Sequence, residues 1–399
     1  MNSDVYFVDG VRTPFGRAGE KGMYWNTRAD DLVVKAMIGL MERNPGVPGE
    51  RIDDVAIAAT TQQGDQGLTL GRSAAILAGL PQSVPGFAID RMCAGAMTSV
   101  TTLAGGIGIG MYDLAIAGGV EHMGRHPLGI GADPNPRFLT ERLVSADALN
   151  MGVTAERIHD RFPHLTKERA DRYGMLSQHK VQAAYDAGLI QPDLVPVAIK
   201  GADGAWGLAT EDEGRRPETT MEGLAALKTP FRPHGRVTAG TSSPLTDGAT
   251  VSLLAGGATV KELGLEPKMK LVSFAFAGVQ PEIMGIGPVP STEKALKKAG
   301  LTIGDIGLFE LNEAFAIQVL SLLDHFGVAD DDPRVNPWGG AIAIGHPLAA
   351  SGVRLMIQLA AQFKTRPDVR YGLTAMCVGL GQGGSVIWEN PYYDGKKRK

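Results

Sequence analysis

Cysteine is nearly absent from this chain: two in 399 residues, Cys93 and Cys377. A disulfide-stapled fold needs more of them, and a structural zinc site needs a paired spacing that neither has. Charge of one sign is lacking too. The 39 Lys and Arg against 43 Asp and Glu leave −4 at pH 7, which gives no overall attraction for nucleic acid or an anionic membrane. No long apolar run is uninterrupted. The most membrane-like stretch, Leu103 to Val120, is rich in glycine, carries Asp113, and reads as a buried helix, a turn and a strand, so no membrane span is expected. Asp4 and Asp9 break the apolar run near the start, so no signal peptide is expected. The tail, Gly395-Lys396-Lys397-Arg398-Lys399, reads as a solvated extension and not as a peroxisomal address. A cytoplasmic globular protein is the default reading.

With 44% hydrophobic and 21% charged residues, the chain can build a large core over two or three domains. Strand-like runs recur at Asp4 to Asp9, Val55 to Ala59, Gly86 to Ile89 and Leu114 to Ala117. They return at Met269 to Ala277, Gly307 to Leu311, Gly372 to Met376 and Ser385 to Trp388. Helical patterns over Ala29 to Arg43, Gly95 to Gly106, Ser291 to Ala299 and Ala314 to Phe326 lie between them, an alternation that argues for an α/β fold. A weak repeat relates Ile52-Asp53-Asp54-Val55-Ala56-Ile57-Ala58-Ala59 to Ile303-Gly304-Asp305-Ile306-Gly307-Leu308-Phe309-Glu310, which suggests duplicated halves. The stretch from Glu121 to Asp247 breaks the rhythm with prolines, charges and short helices such as Ala155 to His159 and Lys167 to Asp186. It reads as an insertion that carries ligand contacts.

Both cysteines sit in one small frame, Met92-Cys93-Ala94-Gly95 and Met376-Cys377-Val378-Gly379. Buried apolar cysteine is the commoner fate, but this matched pair suggests two parts of one site. Cys93 opens a run of small residues, Ala94 to Ser99. If that run is a helix, its N-terminus favours a thiolate, as a nucleophile requires. Of eight histidines, only His346 has a glycine-rich frame, Gly339-Gly340-Ala341-Ile342-Ala343-Ile344-Gly345-His346-Pro347. It is the natural candidate for the base beside a thiol. The glycines after Cys377 form a plain turn, expose N–H groups to an oxyanion, or cradle a phosphate; the last is weak because no helix follows. Asn312-Glu313 ends a strand-like run, where it caps the next helix or belongs to a site. Arg215, Arg216, Lys228, Arg232 and Arg236 form a local basic cluster, either a solvated face or a patch for a phosphate-bearing ligand.

Together these motifs resemble the thiolase family over nearly the whole chain. They are Arg12-Thr13-Pro14-Phe15-Gly16, Cys93 after Asp90-Arg91-Met92, Gly118-Gly119-Val120-Glu121-His122-Met123, Asn312-Glu313-Ala314-Phe315, Gly345-His346-Pro347, and Cys377 to Gly383. The resemblance implies an α/β fold of duplicated halves, 1–120 with 248–268 and 269–399, around an inserted loop domain, 121–247, with coenzyme A and acyl contacts. It implies an enzyme that cleaves 3-ketoacyl-CoA with coenzyme A through an acyl-cysteine, as in degradative 3-ketoacyl-CoA thiolases. By resemblance Cys93 is the acylated nucleophile, His346 takes its proton, and Cys377 is the acid/base at the acetyl α-carbon. Asn312 holds a water that, with His346, binds the thioester oxygen. The N–H groups of Cys93 and Gly379 form a second oxyanion hole. Ser243 matches a serine near the pantetheine, Met151 lines the acyl pocket, Arg216 lies near the nucleotide end of coenzyme A, and Ala314 and Phe315 belong to the substrate site. Coenzyme A is a substrate, and no permanently bound cofactor or metal is implied. A homodimer or homotetramer is expected, with a hydratase–dehydrogenase as a further candidate partner.

Three positions depart from the family pattern. Gly95 stands where many members have serine, Ala349 where glycine is common, and Asn150 where short-chain biosynthetic members have histidine. The last leans towards the degradative branch. An acetoacetyl-CoA thiolase working in the condensing direction is the nearest rival. A ketoacyl-synthase-like enzyme lacks a second cysteine, and a lipid-transfer protein on this scaffold could lack part of the set Cys93, Asn312, His346 and Cys377.

Overall fold

A computed structural model describes residues 4–201 and 204–395, so Lys396 to Lys399 of the basic tail lie outside the described residues. The first part of the chain supplies β1 (Val5–Arg12), the short β2 (Gly16–Arg17), β3 (Asp54–Ala58), β4 (Phe87–Ile89) and β5 (Leu114–His122). A separate hairpin, β6 (Val197–Lys200) and β7 (Trp206–Ala209), lies in the segment that follows. The main sheet resumes with β8 (Thr246–Gly256) and is completed by β9 (Met269–Gly278), β10 (Ile306–Leu311), β11 (Tyr371–Val378) and β12 (Gln382–Glu389).

Strand order across the main sheet is β10-β11-β12-β9-β1-β8-β5-β3-β4, with β2 beside β8. Outwards from its centre, β1-β8-β5-β3 and β9-β12-β11-β10 follow one scheme: antiparallel, antiparallel, then parallel. The weak sequence repeat falls on β3 and β10, which hold equivalent places in the two halves. The place of β4 beside β3 is taken in the second half by a single parallel bridge, Phe309 to Val335. The halves join where β1 meets β9 at Tyr6–Lys270 and Phe7–Met269. There the Phe7 and Trp388 rings, both buried, meet edge to face at 6.0 Å, worth about 1 kcal/mol beyond area burial.

Two helices, Gly95–Gly108 and Ser351–Thr365, are buried on nearly every side, and both are built largely of small and apolar residues. They pack closely because the contact is made of small residues. A Cβ on Gly352 would lie 2.5 Å from the Met97 nitrogen. One on Gly95 would lie 2.7 Å from the Ala58 Cβ and 2.9 Å from the Ala349 Cβ. The two departures at 95 and 349 therefore occupy one contact: the Ala349 methyl fills the space that a side chain at 95 would need.

In the inserted segment, helices Met151–Arg161 and Lys167–Asp186 start where Asn150 and Thr166 accept the N–H groups of Val153 and Arg169, at 3.2 and 3.3 Å. Among the elements that the strand and helix patterns miss, two bear on the site. The polar opening of β8, Thr246-Asp247-Gly248, conceals a strand that is wholly buried, and the helix Ser351–Thr365 begins inside the glycine-rich His346 motif.

Candidate active site

The chain leaves β4 through Asp90, whose carboxylate accepts the Met92 N–H at 2.6 Å. Met92 adopts φ of +45°, rare for a side chain of its size, and the tight turn Met92–Ala94 runs straight into the helix at Gly95. Cys93 thus stands at a helix N-terminus, 8% exposed. The backbone N–H groups of Gly379 and of Cys93 itself bond its sulfur and favour the thiolate. Burial opposes them and wins, pushing the Cys93 pKa up to about 12, with Glu121 adding to the rise. The thiolate expected from the helix terminus alone is therefore not the resting form; Cys93 rests as a thiol and needs a base.

Cys377 ends β11, fully buried, and its pKa is pushed well up by burial and by the neighbouring Cys93. Gly379 begins the tight turn to β12 and its N–H faces Cys93, so the glycines after Cys377 expose a donor to the thiol. A Cβ on Gly379 would meet the Met92 sulfur at 2.6 Å and the Met151 sulfur at 3.7 Å, which places Met151 beside the Cys93–Gly379 contact.

His346 follows Gly345, whose φ of +103° suits only glycine. Its backbone N–H donates to Thr246 Oγ1 at 3.0 Å. Ser351 Oγ donates to the Pro347 carbonyl at 3.1 Å and so accepts from His346 Nδ1 at 2.6 Å. That leaves Nε2 as an acceptor, facing the Asn312 Nδ2 donor at 3.3 Å. Burial, reinforced by Arg354, depresses the His346 pKa to about 3, so the ring is a neutral acceptor.

Asn312 extends from β10, its N–H held by the Ala375 carbonyl at 2.9 Å. Neither it nor Glu313 caps the following helix, which starts from Phe315 without a side-chain cap. Glu313 is instead a buried hub that accepts from Tyr173 at 3.1 Å, Ser177 at 2.6 Å, Asn336 at 2.8 Å and the Ile342 N–H at 3.1 Å. It fastens the loop before His346 to the inserted segment. Glu121 does the same in the first half, accepting from Thr60, Gln66 and Ala349. The turn carrying Cys93 packs against β11 and against the turn Leu348–Ala350 just after His346. Cys93, Cys377, Gly379, Met151, Asn312 and His346 therefore surround one spot.

Ser243 sits close by, its N–H and Oγ both on the Ala314 carbonyl at 3.0 and 3.3 Å, while Ser242 bridges to Phe315. Most of the basic cluster is consumed in ion pairs. Arg232 and Arg236 hold Asp160 at 2.7 and 2.5 Å, and Arg215 binds Glu211 and stacks 3.7 Å over the Tyr185 ring. Of the five, only the exposed Arg216 and Lys228 have no salt bridge among the described residues. Sequence reading missed Ser351, Arg354 and Asn336. For Ser351 and Arg354 the available signal was a polar residue recurring at helical spacing in an apolar helix; Asn336, in a loop, gave none.

Two family models divide the chain as the sheet does: Thiolase, N-terminal domain, over residues 5–257, and Thiolase, C-terminal domain, over residues 265–390. The chain belongs to the thiolase family. It is 43% identical over 391 residues to a 3-ketoacyl-CoA thiolase of Pseudoalteromonas translucida, covering 98% of this chain and 99% of that protein. A thiolase of Escherichia coli named for 3-oxoadipyl-CoA and 3-oxo-5,6-dehydrosuberyl-CoA is 39% identical over 401 residues, covering 97% and 99%. Human mitochondrial 3-ketoacyl-CoA thiolase superposes with a TM-score of 0.87 at 32% identity, over 98% of this chain and 99% of that one. An acetyl-CoA acetyltransferase of Bacillus anthracis gives the same TM-score and identity, over 98% and 100%. The fold is the thiolase fold, and the protein is an acyltransferase of that family whose substrates are coenzyme A thioesters. Among the described residues, no helix is long and apolar enough to cross a membrane.

Proposed function

We propose that this thiolase cleaves 3-ketoacyl-CoA with coenzyme A, giving acetyl-CoA and a shortened acyl-CoA, as in fatty-acid β-oxidation. The observation that carries the reading is a buried thiol at a helix N-terminus, touched by the Gly379 N–H, beside a second thiol and a neutral histidine. His346 Nε2 takes the Cys93 proton, and the thiolate attacks the 3-keto carbon. The bond between C2 and C3 breaks, leaving an acyl chain on Cys93 and an acetyl-CoA carbanion that Cys377 protonates. Coenzyme A then enters, gives its thiol proton to Cys377 and takes the acyl chain as a new thioester, while Cys93 leaves as a thiolate and recovers its proton from His346. The N–H groups of Cys93 and Gly379 carry the negative charge on the acyl-cysteine oxygen, and a water held by Asn312, with His346, carries that on the thioester oxygen. A soft nucleophile resting with a raised pKa makes the adjacent base necessary.

Met151, beside the Cys93–Gly379 contact, lines the acyl site. Ser243 with Ala314 and Phe315 borders the pantetheine, and the unpaired Arg216 meets the nucleotide phosphates. A homodimer or homotetramer in the cytoplasm, with a hydratase–dehydrogenase as a partner, completes the reading. The names of the relatives near 40% identity favour degradation, whereas the equal TM-scores of a 3-ketoacyl-CoA thiolase and an acetyl-CoA acetyltransferase favour neither direction.

Two measurements test this together. Thiolysis across a ladder of 3-ketoacyl-CoA chain lengths should show turnover beyond acetoacetyl-CoA. Mass spectrometry of enzyme mixed with acyl-CoA should place the acyl group on Cys93 alone, with Cys93→Ala losing both adduct and turnover. An adduct on Cys377, or activity confined to acetoacetyl-CoA, would sink the respective half of the proposal.

A further inference from the structure

Up to Phe363, ahead of the exposed Lys364 and Thr365, the helix Ser351–Thr365 is apolar except for one line of side chains. Ser351, Arg354, Gln358 and Gln362 are all buried, and at 100° per residue they fall within about 80° of one another on a single face. Each reaches a different piece of the site. Ser351 holds His346 Nδ1. Arg354 Nη2 donates to Asn312 Oδ1 at 3.1 Å. Gln358 donates to the Gly339 carbonyl at 3.1 Å, in the loop leading to His346. Gln362 donates to Glu310 at 2.7 Å, two residues before Asn312 on β10.

Arg354 is the unusual member. It is 1% exposed, its ion pair with Glu310 is open at 3.6 Å, and its Nε and the facing Glu310 Oε2 have no hydrogen-bond partner. A buried ion pair kept for stability would be closed and saturated. Its best bond outside its own helix goes to Asn312. An asparagine amide has an accepting end and a donating end, and a guanidinium can only donate. With Arg354 on Oδ1, the amide must present its N–H groups to the other side, where His346 Nε2 lies 3.3 Å away. The flipped amide would set two donors, its own N–H groups and the guanidinium, against each other in the buried interior.

We propose that Arg354 is a positioning residue for the thiolase reaction: it locks the Asn312 amide with its N–H groups on the His346 side, where they hold the water that binds the thioester oxygen. The inference rests on the role given to Asn312 above. Arg354 touches no reacting atom, and it acts by denying Asn312 the wrong orientation.

A double-mutant cycle on the full enzyme tests this. The first arm is Arg354→Met with Glu310→Gln, so that no lone carboxylate is left buried; Glu310→Gln alone is its control. The second arm is Asn312→Ala, and the third combines the two. In the native background the first arm should lower kcat for thiolysis about tenfold to a hundredfold with KM for coenzyme A almost unchanged. In the Asn312→Ala background it should cost less than about twofold. Equal losses in both backgrounds would overturn the proposal, since Arg354 would then serve only the fold. An Asn312→Ala enzyme with native kcat would instead remove the underlying role of Asn312, a distinct result. Should the first arm fail to fold, Arg354→Lys runs the same cycle without the planar fork, and equal losses again overturn it.

Discussion

At the end of β5, in the first half of the sheet, stands the buried carboxylate of Glu121; at the end of β11, in the second, stands the buried thiol of Cys377. The strands hold the same place in the two halves, yet their ends have opposite uses. Glu121 is saturated: the Thr60 N–H at 3.1 Å, the Gln66 amide at 3.1 Å and the Ala349 N–H at 3.2 Å leave it nothing further to bind. Cys377 has the Cys93 thiol beside it, which with burial disfavours ionisation of Cys377. One half has spent its polar group on holding loops, and the other has kept it for chemistry. The same comparison revises the likeness of the two Met-Cys frames. Cys93 precedes a central helix and Cys377 ends a strand, so they are not equivalents. The residue placed most like Cys93 is His346, just ahead of the second central helix, and the closely packed helix starts bring the two together.

Exchanging the reactive strand end should have the largest effect. Cys377→Ala is expected to lose about 10²- to 10⁴-fold of thiolysis, together with exchange of the acetyl α-protons with solvent, while Cys93 still accepts an acyl group. Deuterium uptake into acetyl-CoA read by NMR isolates that step, and native-rate exchange would assign it to another base. Glu121→Gln is the matching change in the other half. It should lower thermal stability by about 1–3 kcal/mol and leave exchange intact.

Next in size is the pair of helix starts. His346→Ala should slow alkylation of Cys93 by iodoacetamide at neutral pH by about tenfold or more, with little change in melting temperature. An unchanged rate would mean that the helix terminus and the Gly379 N–H activate Cys93 without help.

The smallest effect concerns Asp247 on β8, buried beside His122 at 3.4 Å, with Oδ2 unpartnered. Burial raises its pKa to about 7, despite the N–H bonds of Gly124 and Met123. A carboxyl whose pKa is higher folded than unfolded contributes stability in acid, and loses that contribution as pH rises from about 4 to about 7. His346 and His159, depressed to about 3 and about 4, run the other way, losing their contribution as pH falls below about 6.5. The measurement is therefore a difference: melting curves of native enzyme and Asp247→Asn should converge in acid, with the variant more stable near pH 8. Parallel curves across that range would show that Asp247 does not titrate.

By itself the sequence determined most of the elements and the candidate residues of the site. Apolar runs at strand spacing, small residues after Cys93 and glycines around His346 and Cys377 are local patterns, and local patterns follow from backbone sterics and burial periodicity. They placed the helices Ala29–Arg43 and Lys167–Asp186 to the residue, and they marked Cys93, His346, Asn312 and Cys377 as candidates. Only the tertiary structure decided the electrostatics. A helix terminus promised Cys93 a thiolate, but desolvation outweighs that dipole, and desolvation depends on what the rest of the chain packs around the sulfur. Five neighbouring cations promised a phosphate patch, but Asp160 and Glu211 neutralise three of them, and the two left over are Arg216 and Lys228. Gly95 and Ala349 looked like separate departures until packing showed that they share one contact. Arg354 showed in the sequence only as a polar residue recurring in an apolar helix, because a positioning role is a relation between side chains 42 residues apart that only the folded core brings within 3.1 Å.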